Sequence, residues 1–200
     1  MIRTIIFDIG GVIIDLSLVK KKMLKLVNPI DENKFWEETS LMGHDLSNGS
    51  INITEFCKRI SDKYSNKNTS KELIDIWSTN FKNLISLKKD TSDLIKKLKP
   101  NYKLGIISNI IEEHVKQACH YDVFNLFDKK IYSYEIGHAK GSLEIYKHAL
   151  NDLNSKPEET IFIDDVKSFV NEAKSIRINA ILFTNTEQLI KDLRKLNVKI

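Results

Sequence analysis

The first fifteen residues constrain this chain more than any other stretch. Arg3-Thr4-Ile5-Ile6-Phe7-Asp8-Ile9-Gly10-Gly11-Val12-Ile13-Ile14-Asp15 is a short, β-branched apolar run that stops at a carboxylate, passes two glycines and turns apolar again. A run of about five apolar residues without helical period reads as a buried strand, and the glycine pair as its stop. Without a Cβ, the backbone at Gly10 and Gly11 can bend sharply or come close to a ligand. A carboxylate at the C-terminal end of a buried strand, next to such a turn, lies where open α/β sheets bind their ligands. A surface aspartate that merely ends a strand is the simpler alternative.

The rest of the chain sharpens that choice. From Leu16 to about Leu87 the apolar residues recur at helical spacing, among them Leu18, Met23, Phe35, Trp36, Phe56, Ile60, Trp77 and Phe81. Asn52 with Glu55 three residues on predicts a capped helix start. No strand is expected here, and the stretch reads as an all-helical insert. Asp15 is expected to cap its first helix, Trp36 and Trp77 to serve as its core, and His44 and Asp45 to sit in a polar loop. From about Lys89 the rhythm changes. Strands at 103–109, 130–133, 160–165 and 179–183 alternate with helices at 91–98, 112–118, 143–153, 168–176 and 187–196. Such alternation implies βαβ units and a parallel sheet with right-handed crossovers. The fold class expected is therefore α/β, a doubly wound Rossmann-like parallel sheet. Its core would comprise 1–15 and 89–200, and 16–88 a small inserted helical domain.

A parallel sheet delivers every strand's C-terminal end to one edge. That edge would gather Asp8, Ser108-Asn109 and Asp164-Asp165, with Lys140 added from the loop Gly137-His138-Ala139-Lys140-Gly141. Carboxylates so placed repel one another unless a cation intervenes, and oxygen donors without His or Cys suit Mg²⁺. Lys140 would pair with Asp8 and neutralise an anionic substrate group, while Ser108 would donate a hydrogen bond to it. The set matches covalent phosphoryl transfer through an aspartyl-phosphate on Asp8.

Composition excludes several alternatives. Of the 200 residues, 42% are hydrophobic and the net charge is +4, with an isoelectric point near 8.9. A packed core is thus expected, with a mildly basic surface. Lysines such as Lys20-Lys21-Lys22 and Lys96-Lys97 are spread out and not interleaved with aromatics, which argues against a nucleic-acid partner. No stretch reaches the ~18 apolar residues of a membrane span. Cys57 and Cys119 are too few for a disulfide scaffold or zinc site and read as wholly or partly buried thiols. A cytoplasmic monomer is the default expectation.

Asp8-Ile9-Gly10-Gly11-Val12, Ser108-Asn109, Lys140 and Asp164-Asp165 resemble, in order and in hydrophobic framing, the four motifs of the haloacid dehalogenase superfamily. The likeness covers essentially the whole chain, the insert resembling that family's helical cap. In style it is similar to glucose-1-phosphate phosphatases and to the N-terminal phosphatase domain of epoxide hydrolases. The resemblance implies Asp8 as nucleophile and metal ligand. It implies Asp165 as a direct Mg²⁺ ligand, Asp164 as a direct or water-mediated one, and the Gly10 carbonyl as a further donor. Ser108, Asn109, Lys140, Gly10 and Gly11 would surround a small phosphorylated substrate, a sugar phosphate by family likeness. Four departures stand out. Gly10 occupies the place of an Asp that serves as general acid and base, Gly141 that of a Pro, Phe169 that of an Asn or Asp, and Arg177 that of a Gly. They keep two other readings in play, a 2-haloacid dehalogenase and a catalytically weak binding or scaffold protein.

Overall fold

A computed structural model describes residues 1–64 and 69–200. Among these residues seven strands form in chain order: β1 Thr4–Phe7, β2 Ile14–Asp15, β3 Ser86–Leu87, β4 Lys103–Ser108, β5 Lys129–Tyr132, β6 Thr160–Asp164 and β7 Asn179–Leu182. Five of them make one sheet in the order β5-β4-β1-β6-β7, parallel throughout. β1 lies at its centre, with Phe7 in register with Ile106 on one side and Ile163 on the other. Consecutive strands run outward from β1 in one direction through β4 and β5, then in the other through β6 and β7. The reversal occurs at β1, so the crevice at its C-terminal end is the topological switch point of the sheet.

Burial on both faces explains why β1 reads as an uninterrupted apolar run rather than an alternation. Ile5, Phe7, Ile106, Ile161 and Ile163 join one core with the helices α6 Lys89–Leu98 and α11 Thr186–Lys195. Ile6, Ile107 and Phe162 point into a second core closed by α9 Leu143–Asp152 and α10 Lys167–Ser175. At about 1.5–3 kcal/mol per fully buried large side chain, these two layers carry most of the sheet's stability. Every strand and helix expected after Lys89 forms within one or two residues of its predicted bounds. The α/β, doubly wound reading is correct.

Between β2 and β3 the chain is helical: α1 Ser17–Val27, α2 Glu32–Ser47, α3 Ile53–Tyr64, α4 Ser70–Ile74, a π-helical turn Asp75–Thr79 and α5 Phe81–Leu84. Asn52 Oδ1 accepts the Glu55 amide at 2.9 Å, as its spacing predicts, but the Glu55 carboxylate turns to Arg59 instead of back to Asn52. β2 and β3 pair antiparallel and bring the two ends of the helical segment together. The β3 strand lies inside the stretch read as all-helical, because two residues are too few to show a period. His44 and Asp45 belong to the last turn of α2, not to a loop. Asp45 is occupied by Arg59 at 2.9 Å, which braces α2 against α3. Asp15 Oδ1 accepts the Ser17 amide at the first residue of α1. Among the described residues no helix is long and apolar enough to cross a membrane.

The helical segment is seamed to the sheet domain through α7 Glu112–Ala118, which follows β4. His114, 7% exposed, stacks on Phe81 with ring centroids 4.0 Å apart, and its Nε2 lies 2.5 Å from the Trp77 carbonyl. Around it Ser78 bonds Glu113, and Gln117 bonds the Ser78 carbonyl and the Lys82 amide. Burial lowers the His114 pKa, more than its contacts with Trp77 and Glu113 raise it. The folded protein thus holds fewer protons here than the unfolded chain just below the ordinary histidine value of about 6.5. His114's contribution is complete above that pH and falls away as the pH drops toward its lowered folded value. In His114→Phe, the orphaned Trp77 carbonyl should cost about 1–3 kcal/mol at pH 7.5. Its stability, followed by urea melts, should fall less than wild type's between pH 7.5 and 5.5.

Candidate active site

The site grows from the turn after β1. Asp8 still donates its amide to Ile163 at 2.9 Å, extending the sheet by one residue, so its carboxylate emerges at the sheet edge. The backbone then folds on itself, with the Ile13 and Ile14 amides on the Ile9 carbonyl and the Gly11 amide on Ile14. Gly11 has φ +80, and a Cβ there would lie 2.2 Å from an Asp165 carboxylate oxygen. Glycine is required on both counts. The close approach expected at this glycine is an approach to Asp165, across the edge from β6.

Lys140 lies at the centre. Its Nζ sits 2.7 Å from Asp8 Oδ1 and 2.7 Å from Asp164 Oδ2, and the three residues are 3%, 6% and 0% exposed. The other Asp164 oxygen accepts the Val166 amide at 2.8 Å. Ligand oxygens of Asp8, Asp164 and half-buried Asp165 lie within 4.8 Å of one another. Burial alone would lower the Lys140 pKa, but attraction to Asp164 and Asp8 overrides it and drives it above the ordinary lysine range. Asp164 is raised, by burial first and with repulsion from Asp8 adding to it, against the pull of Lys140. Asp165 is raised for the same two reasons, with Lys20 and Lys140 opposing. Three carboxylates against one ammonium leave two negative charges to balance. The donors are all hard oxygens with no thiolate or imidazole among them, so the set fits a hard divalent cation such as Mg²⁺.

The loop that carries Lys140 is held on every side. Asn109, the first residue beyond β4, accepts the Lys140 amide at 2.6 Å and donates to its carbonyl at 3.1 Å. Its side-chain amide thus grips the Lys140 main chain at both ends. Ser108, 3% exposed, ends β4 beside it. The Gly141 amide donates to Glu172 at 2.9 Å, and the Tyr146 hydroxyl lies 3.1 Å from both Glu172 and the Phe169 carbonyl. His44 of α2 closes over this point, since a Cβ on Gly141 would lie 3.3 Å from its ring.

These contacts account for the four departures. Gly141 has φ +112 and uses its amide, neither of which proline allows. The Phe169 ring lies 5.0 Å from Lys140 Nζ, a cation–π contact where a polar side chain was expected. Arg177 follows the end of α10 at φ 67 and pairs with Glu158 on the surface, away from the catalytic edge. A Cβ on Gly10 would meet only the tip of the Leu16 side chain, at 3.0 Å, and Gly10 is not in the left-handed region. That position is therefore open to larger residues.

Sequence reasoning missed Tyr146, Glu172 and Ser133. Tyr146 follows the apolar period of α9, and Glu172 lies among the polar residues of α10. Ser133, whose hydroxyl binds both the amide and the carbonyl of Ile110, opens the one-turn helix α8 Ser133–Ile136 just beyond β5, where it looks like many turn serines.

Residues 2–167 match the family model of the haloacid dehalogenase-like hydrolases. The chain is 29% identical over 187 residues to the D-ribitol-5-phosphate phosphatase of Bacteroides thetaiotaomicron, an alignment spanning 88% of this chain and 89% of that protein. It is 35% identical over 69 residues to the bifunctional epoxide hydrolase 2 of Rattus norvegicus, covering 34% of this chain and 12% of the other. A solved haloacid dehalogenase-family enzyme of Bacteroides thetaiotaomicron, in complex with magnesium and inorganic phosphate, superposes with a TM-score of 0.67 at 25% identity. That match covers 92% of this chain and 95% of that one.

The surplus negative charge makes a direct prediction. In chelator, Asp165→Asn should melt several degrees above wild type, because one uncompensated charge is gone. Added Mg²⁺ should raise the melting temperature of wild type clearly more than that of the variant. A wild-type transition indifferent to divalent cations would contradict the metal-site assignment.

Proposed function

This chain belongs to the haloacid dehalogenase-like hydrolases, and we propose that within them it is a Mg²⁺-dependent phosphatase acting on a small phosphorylated metabolite. The observation that carries the reading is the Lys140 ammonium shared between Asp8 and Asp164, with Asp165 completing an all-oxygen cluster. Similarity to a polyol-phosphate phosphatase over most of the chain supports it. In this reading 1–15 and 89–200 form the catalytic core and 16–88 the cap.

Asp8, Asp164, Asp165 and the Gly10 carbonyl would hold the cation, which when bound screens the charge of the phosphoryl oxygens. Lys140 fixes the Asp8 carboxylate through one oxygen, leaving the other to attack phosphorus. The new bond joins Asp8 to phosphorus, the ester P–O bond breaks, and the alcohol leaves as its oxyanion. Ser108 and the backbone at Gly10 would steady the transferring group, the Gly11 amide being held by the Ile14 carbonyl. Water then attacks phosphorus, the Asp8–phosphorus bond breaks, and phosphate departs. Gly10 offers no proton to the leaving oxygen, so the rate should follow how well that oxygen bears negative charge. Dehalogenation is disfavoured, because two unbalanced carboxylates would repel a haloacid's own carboxylate.

A panel of phosphomonoesters, including sugar phosphates and D-ribitol 5-phosphate, tests the proposal. Turnover should vanish on chelation and in Asp8→Asn. Gly10→Asp should fit, with Leu16 swinging aside, and speed hydrolysis of alkyl phosphates by up to about 10²–10⁴-fold, the range of a general acid. Absence of Mg²⁺-dependent turnover across the panel would instead favour the scaffold reading.

A further inference from the structure

Lys20 stands on α1 one turn beyond Leu16, its amide on the Leu16 carbonyl at 2.9 Å. Residues four apart share one face of a helix. Leu16 uses that face to cover Gly10, its tip 3.0 Å from where a Cβ there would lie. Two openings flank the catalytic edge. One is a cleft of about 310 Å³ between the helical segment and the sheet domain, bordered by Asn109, Val166 and Phe169. The other is a depression bordered by Gly11, Asp165 and Lys88. Lys20 is the one residue that lines both, so its side chain spans the edge beside Asp165.

The Lys20 ammonium is not committed elsewhere. It closes no salt bridge among the described residues. Burial and then Asp8 raise the Asp165 pKa, and Lys20 opposes them more strongly than Lys140 does. Lys140 is itself spent between Asp8 and Asp164. In-line transfer puts the leaving oxygen opposite Asp8, and a loose transition state loads that oxygen with negative charge. Gly10 has no proton to give it. Of the residues around the cleft only Lys20 and His114 are basic, and His114 is tied to the Trp77 carbonyl.

Resting on the phosphatase reading, we infer that Lys20 is a further catalytic residue, a cation carried by the helical segment that donates a hydrogen bond to the leaving oxygen in place of the acid missing at Gly10. The bond from Asp8 to phosphorus forms as the ester P–O bond breaks, its electron pair going to the leaving oxygen. Lys20 donates to that oxyanion and keeps its proton, and the oxyanion takes a proton from water as the alcohol departs. A donor aimed at developing charge is worth roughly 10²–10³-fold in a site closed to water. Lys20 is exposed, so solvent and salt screen it and about tenfold is expected.

The test measures kcat/KM with Mg²⁺ for phenyl phosphate and 4-nitrophenyl phosphate, two esters of similar outline. The nitro group spreads the charge of its oxyanion, so that ester needs less help. Lys20→Met should lose about tenfold more on phenyl phosphate than on the nitro ester, while Lys20→Arg should stay close to the wild-type ratio. Lys88→Met, which removes a lysine from the Asp165 depression alone, should not move the ratio. The ratio does not depend on what fraction of a variant is folded. In chelator, Lys20→Met should also melt below wild type, because it removes a positive charge that faces an acidic edge. A ratio unmoved by Lys20→Met, or moved as far by Lys88→Met, overturns the inference, and so does a metal-free melt at or above wild type. If wild type cleaves the nitro ester and the ratio stands still, the role of Lys20 fails alone. If wild type cleaves neither ester, the phosphatase reading fails and this role with it.

Discussion

Lys140 sets the terms for everything around it. An ammonium almost wholly removed from water is tolerated because it lies 2.7 Å from each of two carboxylates. Isolated burial of any of these charges would cost several kcal/mol, and pairing offsets that cost only when the geometry is good. The surrounding structure therefore serves geometry. Asn109 clamps the Lys140 main chain at both its amide and its carbonyl, Glu172 holds the next amide, and Tyr146 and Phe169 back them. A third carboxylate, Asp165, is then brought in without a matching cation. The protein leaves a local charge deficit at its sheet edge, which an external cation can fill.

The same edge explains the placement of the glycines. Gly11 is small because Asp165 stands where its side chain would be, and Gly141 because His44 and a left-handed backbone leave no alternative. His44 comes from the helical segment, so the loop bearing Lys140 is touched from both sides of the cleft. The seam at α7 adds a second fixed contact, with His114 stacked on Phe81 and bonded to Trp77. Trp77 serves this seam through its main chain, its carbonyl bonded to His114.

Much of this was legible in the residues alone. Apolar runs ending in Asp8, Ser108 and Asp164 announce strands buried on both faces, because such burial removes the alternation that a half-exposed strand would show. Asn52 announces a helix start because its side chain has one convenient amide to bind. What escaped did so for equally definite reasons. His44 reads as a loop residue because Gly43 and Asp45 on either side are poor helix formers, although Met42 and Leu46 keep the helical spacing. Tyr146 obeys the helical period of a core residue, and nothing in its spacing reveals that its hydroxyl meets Glu172. β3 is two residues long, too short to show a period, and the grip of Asn109 on the Lys140 main chain is not visible in its position at a strand end.

Local patterning, then, determined the element order, the parallel sheet and the list of charged residues at its edge, since periodicity and strand ends are properties of neighbours along the chain. Only the tertiary structure decided which of those groups touch. Distances between residues such as Asp8 and Lys140, 132 positions apart, depend on how crossovers and helices stack, and no local spacing encodes that. The cleft between the helical segment and the sheet belongs to the same class, because a pocket exists only where separate elements fail to fill the space between them.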